Sequence, residues 1–109
     1  MIRTFKEVPS FVRKWNELGL TDDDLRQLQN ILLRNPKLGD AIPDTGGIRK
    51  IRIPIDGSGK RGGGRVIYVD IEVKECIYFI DVYSKSEKID LTYTEKRLLK
   101  KLTKVLKET

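Results

Sequence analysis

The first third of the chain carries its hydrophobic residues at helical spacing. A short opening segment, residues 1–7, can form a strand, and Pro9 is a favoured residue for the first turn of a helix. From there, Phe11, Trp15 and Leu18 fall on one face of that helix. A tryptophan within an apolar helix stripe is typical of a packed core, so we expect Trp15 to be buried.

A second helix is expected directly after Thr21. Threonine is a good N-cap, and the three aspartates that follow occupy the first turn, where the helix dipole favours negative charge. We therefore interpret the acidic run as capping rather than as a metal site. Leu25, Leu28 and Leu32 mark the buried face, and the helix should stop near Asn35-Pro36.

Beyond a polar loop over residues 37–47, the hydrophobic period changes to two. Ile51, Ile53 and Ile55 point to one side of a strand, and Lys50 and Arg52 point to the other. A glycine-rich connection leads to a strand RVIYVDIEV, a short turn to a strand CIYFIDVYS, and a Thr92–Glu95 capping box to a last helix. The pattern predicts one α+β domain over residues 1–109, an antiparallel sheet with helices packed on one side.

Composition removes several kinds of chemistry. The 109 residues include no histidine and one cysteine, which excludes Ser-His-Asp and Cys-His catalysis and leaves too few histidine and cysteine donors for a structural zinc site. Cys76 lies in an apolar run and is expected to be a core thiol. The sequence GSGKRG matches GxGxxG, but a strand follows it rather than a helix, so we interpret it as a hairpin connection.

Targeting signals are also lacking in the pattern. No apolar run approaches the ~18 residues needed to cross a bilayer, and no apolar segment follows the charged start as in a signal peptide. We expect a cytoplasmic protein that does not act at a membrane.

The positive charge is concentrated in one window. The net charge is +6, and residues 49–65 alone contribute +5. Such a patch predicts a polyanionic partner, either nucleic acid or an acidic protein. If the three central strands are neighbours, four basic side chains can converge on one side of the sheet: Lys50, Arg52, Arg65 and Lys85. Strand alternation alone equally permits a set of solvated lysines and arginines.

Three blocks in order connect this chain to a known family. NPKLGDAIPDTGGIRKIRIP, GKRGGGRVIYVDIE and IYFIDVYSKSEKIDLTYTE resemble the RelE/HigB family of type II toxins, above all a HigB-like branch with the pattern NPxxGDxIxGTGGxRKxR, GKxGGxRVIY and YxKxEKxDLT. The resemblance covers roughly residues 30–97 and implies a RelE-like fold. It also implies a ribosome-dependent endoribonuclease that enters the A site of the small ribosomal subunit and cuts mRNA there.

The resemblance further implies protein and nucleic-acid partners, and a reaction that needs no cofactor. A cognate antitoxin, commonly with a helix-turn-helix domain, would neutralise the toxin and mediate any contact with operator DNA. No metal is required, because the 2′-hydroxyl of the mRNA attacks the adjacent phosphate and cationic side chains stabilise the transition state.

The family's catalytic positions can be carried over one residue at a time. Lys50 and Arg52 match the basic pair of one strand, and Arg65 matches the arginine that faces the scissile phosphate. Lys85 matches a later basic residue, with a spacing that differs by about one residue from RelE itself, and Tyr93 lies near a functional tyrosine. Outside this catalytic set, the basic residues expected to bind ribosomal or messenger RNA backbone are Lys37, Arg49, Lys60 and Arg61.

Other functions remain open at this point. A ParE-like poison of DNA gyrase would use the same fold to contact a protein, and a non-catalytic RNA-binding regulator would carry the same charge. An inactive member of the family would also match the three blocks.

Overall fold

The computed structural model describes residues 2–55, 63–88 and 90–109. Its elements in chain order are β1 (Thr4–Glu7), α1 (Pro9–Glu17), α2 (Asp22–Arg34), β2 (Asp40–Ala41), β3 (Ile48–Ile53), β4 (Gly64–Ile71), β5 (Cys76–Ser84) and α3 (Tyr93–Glu108), with a single 3₁₀ turn at Glu72–Lys74 between β4 and β5. The expected strands and helices are thus confirmed, and the α+β class with them.

Local capping chemistry sets the helix boundaries. Thr21 accepts a hydrogen bond from the backbone N–H of Asp24, whose carboxylate accepts one from the Thr21 N–H. Thr92 and Glu95 form the same reciprocal pair at the start of α3. Gly19 follows α1 with φ +77°, a conformation that glycine adopts without a Cβ penalty.

The five strands form one sheet in the order β1-β5-β4-β3-β2. The central strands β3, β4 and β5 pair antiparallel as expected, and two other features differ from the expected antiparallel sheet. First, β1 runs parallel to β5, so the sheet is mixed although mostly antiparallel. Second, the loop over residues 37–47 contains β2, whose Asp40 lies opposite Lys50 of β3. Arg3, next to β1, fastens this edge with two hydrogen bonds to Asp70 of β4, at 2.7 and 3.1 Å.

Hydrophobic residues pack on both faces of the sheet, which corrects the expectation of helices on one side. On one face, α1 and α2 cover a cluster that contains Phe11, Trp15 and Tyr68. On the other, α3 covers a cluster that contains Ile48 and Ile67. Alternate residues of β4 belong to opposite clusters, as strand geometry requires. Trp15 and Cys76 are buried as expected, with 4% of each exposed.

A buried tyrosine attaches the loop after α2 to the sheet. The Tyr68 hydroxyl donates to the carbonyl of Pro36 at 2.8 Å and accepts from the N–H of Gly39 at 2.9 Å. A Cβ at residue 39 would lie 2.8 Å from the Lys50 carbonyl oxygen and 2.9 Å from the Tyr68 hydroxyl, so only glycine fits there. This contact holds the start of β2 against β3.

Within residues 2–55, 63–88 and 90–109, no helix has the length and apolarity to cross a bilayer.

We expect Tyr68→Phe to lower the free energy of unfolding by about 1–3 kcal/mol, because it leaves a buried N–H and a buried carbonyl without their partner. Urea unfolding followed by circular dichroism measures this change. Tyr93→Phe is the matched control, since 73% of that side chain is exposed, and it should change stability by less than about 0.5 kcal/mol. Equal stabilities for the two variants would contradict the role assigned to Tyr68.

Candidate nucleic-acid interface

The centre of the site is a pair of arginines on neighbouring strands. In the antiparallel pairing of β3 with β4, Arg52 lies directly opposite Arg65, and Lys50 lies opposite Ile67. Directly opposed residues share a face and have Cα atoms about 4.5–5.5 Å apart. Lys50 lies two residues from Arg52, on the same face and about 7 Å away. Three of the four residues expected to converge are therefore brought together.

Lys85 joins the same end of the sheet through its backbone. It follows β5 directly, and its N–H donates to the carbonyl of Gly63 at 3.0 Å, just before β4 begins. A Cβ on residue 63 would lie 2.3 Å from the carbonyl oxygen of Ile53, and its φ is +66°. Glycine therefore allows the strands to stay close at the end of the sheet that carries Arg52, Arg65 and Lys85. We call Lys50, Arg52, Arg65 and Lys85 the basic cluster.

A bulge brings a further residue to this cluster. The pairing of β4 with β5 shifts between Ile67 and Tyr68, because Ile67 lies opposite Asp81 and Tyr68 opposite Phe79. The shift places Tyr83 directly opposite Arg65. Tyr83 is 7% exposed and packs in the cluster of hydrophobic residues under α3.

The segment that enters α3 covers this tyrosine with charged residues. The Lys88 ammonium lies 5.4 Å from the centre of the Tyr83 ring and pairs with Glu95 of α3. Asp90 lies 3.6 Å from the Lys50 ammonium. The Leu91 N–H, and after it the Lys50 charge, hold the pKa of Asp90 below its ordinary value.

The Tyr83 hydroxyl is buried, and no hydrogen-bond partner for it lies in the described part of the chain. Burial raises the pKa of Tyr83, the nearby negative charge of Asp90 raises it further, and Arg65 opposes the rise. The phenol is therefore protonated at neutral pH and can act as a hydrogen-bond donor.

Sequence reasoning missed Tyr83, Lys88 and Asp90 as site residues. The available signal was the block YxKxEKxDLT, in which Tyr83 is the first residue and Lys88 and Asp90 are two of the later ones. Their convergence depends on the bulge, which the spacing of the strands does not reveal.

Tyr93 lies at a different surface. It is the first residue of α3, 73% exposed, and its ring lies 5.9 Å from the guanidinium of Arg97. It lines a groove of about 750 Å³ between α3 and the loop before β3. In that groove, Lys100 pairs with Asp44 at 2.9 Å.

The two expected RNA-backbone residues that the structure describes, Lys37 and Arg49, lie away from the basic cluster. The Arg49 guanidinium donates to the carbonyls of Lys37 and Gly39, at 3.1 and 2.7 Å, and so supports the loop after α2. The Lys37 ammonium pairs with Glu72 at 2.8 Å, and this ion pair lowers the pKa of Glu72. Arg49 occupies the face of β3 opposite to Lys50. Lys60 and Arg61 lie outside the described residues.

The chemistry available at the basic cluster is anion binding. Arginine presents a planar fork of donors that matches the oxygens of a phosphate, and lysine adds a compact charge. Among the residues that the structure describes, no group of three carboxylate, cysteine or histidine side chains is placed to hold a metal ion.

Comparison with known proteins shows the family and the fold of this chain. The family model described as the RelE toxin of the RelE/RelB toxin–antitoxin system matches residues 2–109. The chain belongs to the RelE toxin family. The resemblance of the three sequence blocks to the RelE family is thereby confirmed.

Solved structures of Escherichia coli RelE share the fold of this RelE-family chain. A double-arginine mutant of that toxin in the free state is 18% identical, with a TM-score of 0.62 over 90% of this chain and 97% of the other. The isolated toxin is 16% identical, with a TM-score of 0.53 over 94% of this chain and 99% of the other. RelE in the intact RelBE toxin–antitoxin complex is 18% identical, with a TM-score of 0.54 over 77% of this chain and 96% of the other.

We expect the Lys88–Glu95 pair to make stability depend on pH. The Lys88 ammonium, followed by the Thr92 N–H, lowers the pKa of Glu95 below its ordinary 4.5. Because the folded pKa is depressed, this stabilisation is present above pH 4.5 and is lost as the pH falls through the folded value. The melting-temperature difference between the wild type and Glu95→Gln should therefore shrink between pH 6 and pH 3. A difference that stays constant, or one matched by the exposed control Glu17→Gln, would contradict this.

Proposed function

We propose that this RelE-family toxin is a ribosome-dependent endoribonuclease that cleaves mRNA in the ribosomal A site. The observation that carries the proposal is the direct opposition of Arg52 and Arg65, with Lys50 on the same face. Like charges directly opposite in a sheet repel each other, and an anionic ligand bound at this place would offset that repulsion. A single-stranded RNA backbone supplies such an anion at every nucleotide.

The proposed reaction is an internal transesterification. The 2′-oxygen of a nucleotide loses its proton to a base and bonds to the adjacent phosphorus, giving a pentacovalent phosphorane. The bond from phosphorus to the 5′-oxygen then breaks, and that oxygen takes a proton from an acid. The products are a 2′,3′-cyclic phosphate and a 5′-hydroxyl end. The phosphorane carries more negative charge than the substrate, so fixed cations lower its energy.

Side-chain chemistry divides these roles among the basic cluster. An arginine stays protonated in proteins, so Arg52 and Arg65 act as charge-stabilising donors, with Arg65 bound to the non-bridging oxygens. Proton exchange with the 2′- or 5′-oxygen falls to Lys50 and Lys85. The reaction uses the chain's own cations and no cofactor. Tyr93, exposed on α3, would contact RNA from outside the cluster.

The ribosome would present the mRNA to this site. The HigB-like pattern of the three sequence blocks supports this assignment, and so does the open basic surface of a small domain over residues 1–109. Lys37, Arg49, Lys60 and Arg61 would then contact ribosomal or messenger RNA backbone. A chain that acts on translating ribosomes works in the cytoplasm.

The proposed second partner is a cognate antitoxin, supported by the RelBE toxin–antitoxin complex, whose toxin shares this fold. An antitoxin segment would cover the basic cluster or block entry to the ribosome. In a HigB-like system it would carry a helix-turn-helix domain and connect the toxin to operator DNA. A structure of the complex that leaves the basic cluster exposed and room for the ribosome would contradict this.

The decisive test is cleavage with and without programmed ribosomes. We expect the wild type to cut mRNA only when ribosomes are present, and Arg65→Ala to lose cleavage by on the order of 10²-fold or more, because it removes a donor to the phosphorane. Primer extension maps the cut sites, and ribosome co-sedimentation shows that the variant still binds.

Arg26→Ala is the matched control for Arg65→Ala. Arg26 is exposed on α2 and pairs only weakly, with Asp23 at 3.4 Å, so the control should cleave like the wild type. A wild type that poisons cells but cuts no RNA would favour the gyrase-directed function. An Arg65→Ala protein that retains full cleavage would overturn the role given to the basic cluster.

A second expectation concerns salt. Each phosphate contact releases condensed counterions, so the logarithm of ribosome affinity should fall linearly with the logarithm of salt concentration, by about 0.7–0.9 per contact. The double variant Lys50→Gln/Arg52→Gln should reduce that slope by about 1–2. The control double variant Arg13→Gln/Arg26→Gln, on helices α1 and α2, should reduce it less. Filter binding between 50 and 200 mM salt measures the slopes, and a flat response of the wild type would contradict the proposed RNA contacts.

A further inference from the structure

The Tyr83 hydroxyl is a buried hydrogen-bonding group whose position is not explained by packing. The residue is 7% exposed, and the hydroxyl has no partner among the described residues. Leaving a buried donor unsatisfied disfavours folding, and a phenylalanine of nearly the same shape would avoid that cost. The aromatic ring therefore accounts for the packing of Tyr83, and the hydroxyl needs a separate explanation.

The surroundings of the hydroxyl point to an anion as its partner. Tyr83 lies directly opposite Arg65 on the face that carries Lys50 and Arg52. The ammonium of Lys88 lies over its ring. Two carboxylates near the hydroxyl, Asp90 and Glu95, already pair with Lys50 and Lys88. A phosphate oxygen would accept from the hydroxyl and bind the neighbouring cations at the same time.

We propose that the Tyr83 hydroxyl donates a hydrogen bond to a non-bridging oxygen of the RNA phosphate that Arg65 binds. This makes Tyr83 a catalytic residue of the proposed reaction, and the inference rests on the proposed function. A neutral donor on β5, Tyr83, and a charged donor on the adjacent strand β4, Arg65, would then hold the phosphate between them. The tyrosine keeps its proton throughout, so the balance of the transesterification is unchanged.

Two features of the structure support this role. Burial and the charge of Asp90 raise the pKa of Tyr83, which keeps the phenol in its donor form at neutral pH. The cover above the ring is a lysine side chain, held by Glu95 of α3. The Lys88 ammonium, 5.4 Å from the ring centre, adds positive charge beside the proposed phosphate position.

The test compares Tyr83→Phe with the wild type in single-turnover cleavage at saturating programmed ribosomes. We expect the rate to fall by on the order of 10²-fold, as when one preorganised donor to a developing oxyanion is removed. Ribosome affinity should be nearly unchanged. The melting temperature should be unchanged or higher, because the unsatisfied hydroxyl is gone. Tyr78→Phe removes a hydroxyl from the same strand beneath Lys6 and is the matched control, expected to keep the wild-type rate.

A phosphorothioate at the scissile position provides a second measurement. If Tyr83 had only a structural role, sulfur would slow cleavage equally in the wild type and in Tyr83→Phe. Sulfur is a weak hydrogen-bond acceptor, so replacing the contacted oxygen should slow the wild type and have a much smaller effect on Tyr83→Phe. Wild-type cleavage with an equal rate for Tyr83→Phe, or with equal sulfur effects in both proteins, would overturn the inference and leave the proposed function standing. A wild type that cuts no mRNA on ribosomes would overturn both.

Discussion

The register between β3 and β4 is the constraint on which both the core and the site depend. Side chains alternate between the faces of a sheet, so a slip of one residue would exchange the two faces of β3. It would carry Lys50 and Arg52 into the cluster under α1 and α2 and expose Ile51 and Ile53 on the side of α3. The burial of isoleucines therefore selects the pairing in which Arg52 meets Arg65. Two like charges are held together by hydrophobic residues that face away from them.

Much of the fold could be predicted because its signals are local. Pro9, Thr21 and the Thr92–Glu95 pair mark helix boundaries through chemistry within one turn, and alternation marks β3. The features that escaped prediction are non-local. The apolar stripe of α3 shows that the helix buries one side, but the same stripe fits either face of the sheet. The partner of β1 lies about seventy residues away along the chain, and no turn between them determines a parallel pairing.

The residues of the candidate site also differ in whether local sequence signals could predict their positions. Lys50, Arg52 and Arg65 could be predicted to converge because they follow strand alternation and a hairpin. Tyr83 could not, because continuing the pairing of Tyr68 with Phe79 without a bulge would place Val82 opposite Arg65. The shift at Ile67 inserts one residue into β5 and turns the tyrosine toward the cations. Bulges commonly redirect side chains in this way beside functional sites. Arg49 shows the converse, since a basic residue in the charged window also supports a loop through backbone carbonyls.

The parallel pairing of β1 with β5 has a consequence for the order in which the chain can fold during its own synthesis. Chains emerge from the ribosome with the N-terminus first, so β1 leaves long before β5, its neighbour in the sheet, has been made. The ion pair of Arg3 with Asp70 must wait in the same way. β5 also contributes Tyr83 and ends at Lys85, so the strand that completes the sheet completes the basic surface too. A nascent chain therefore acquires the assembled basic cluster only after β5 has been made and has left the ribosome.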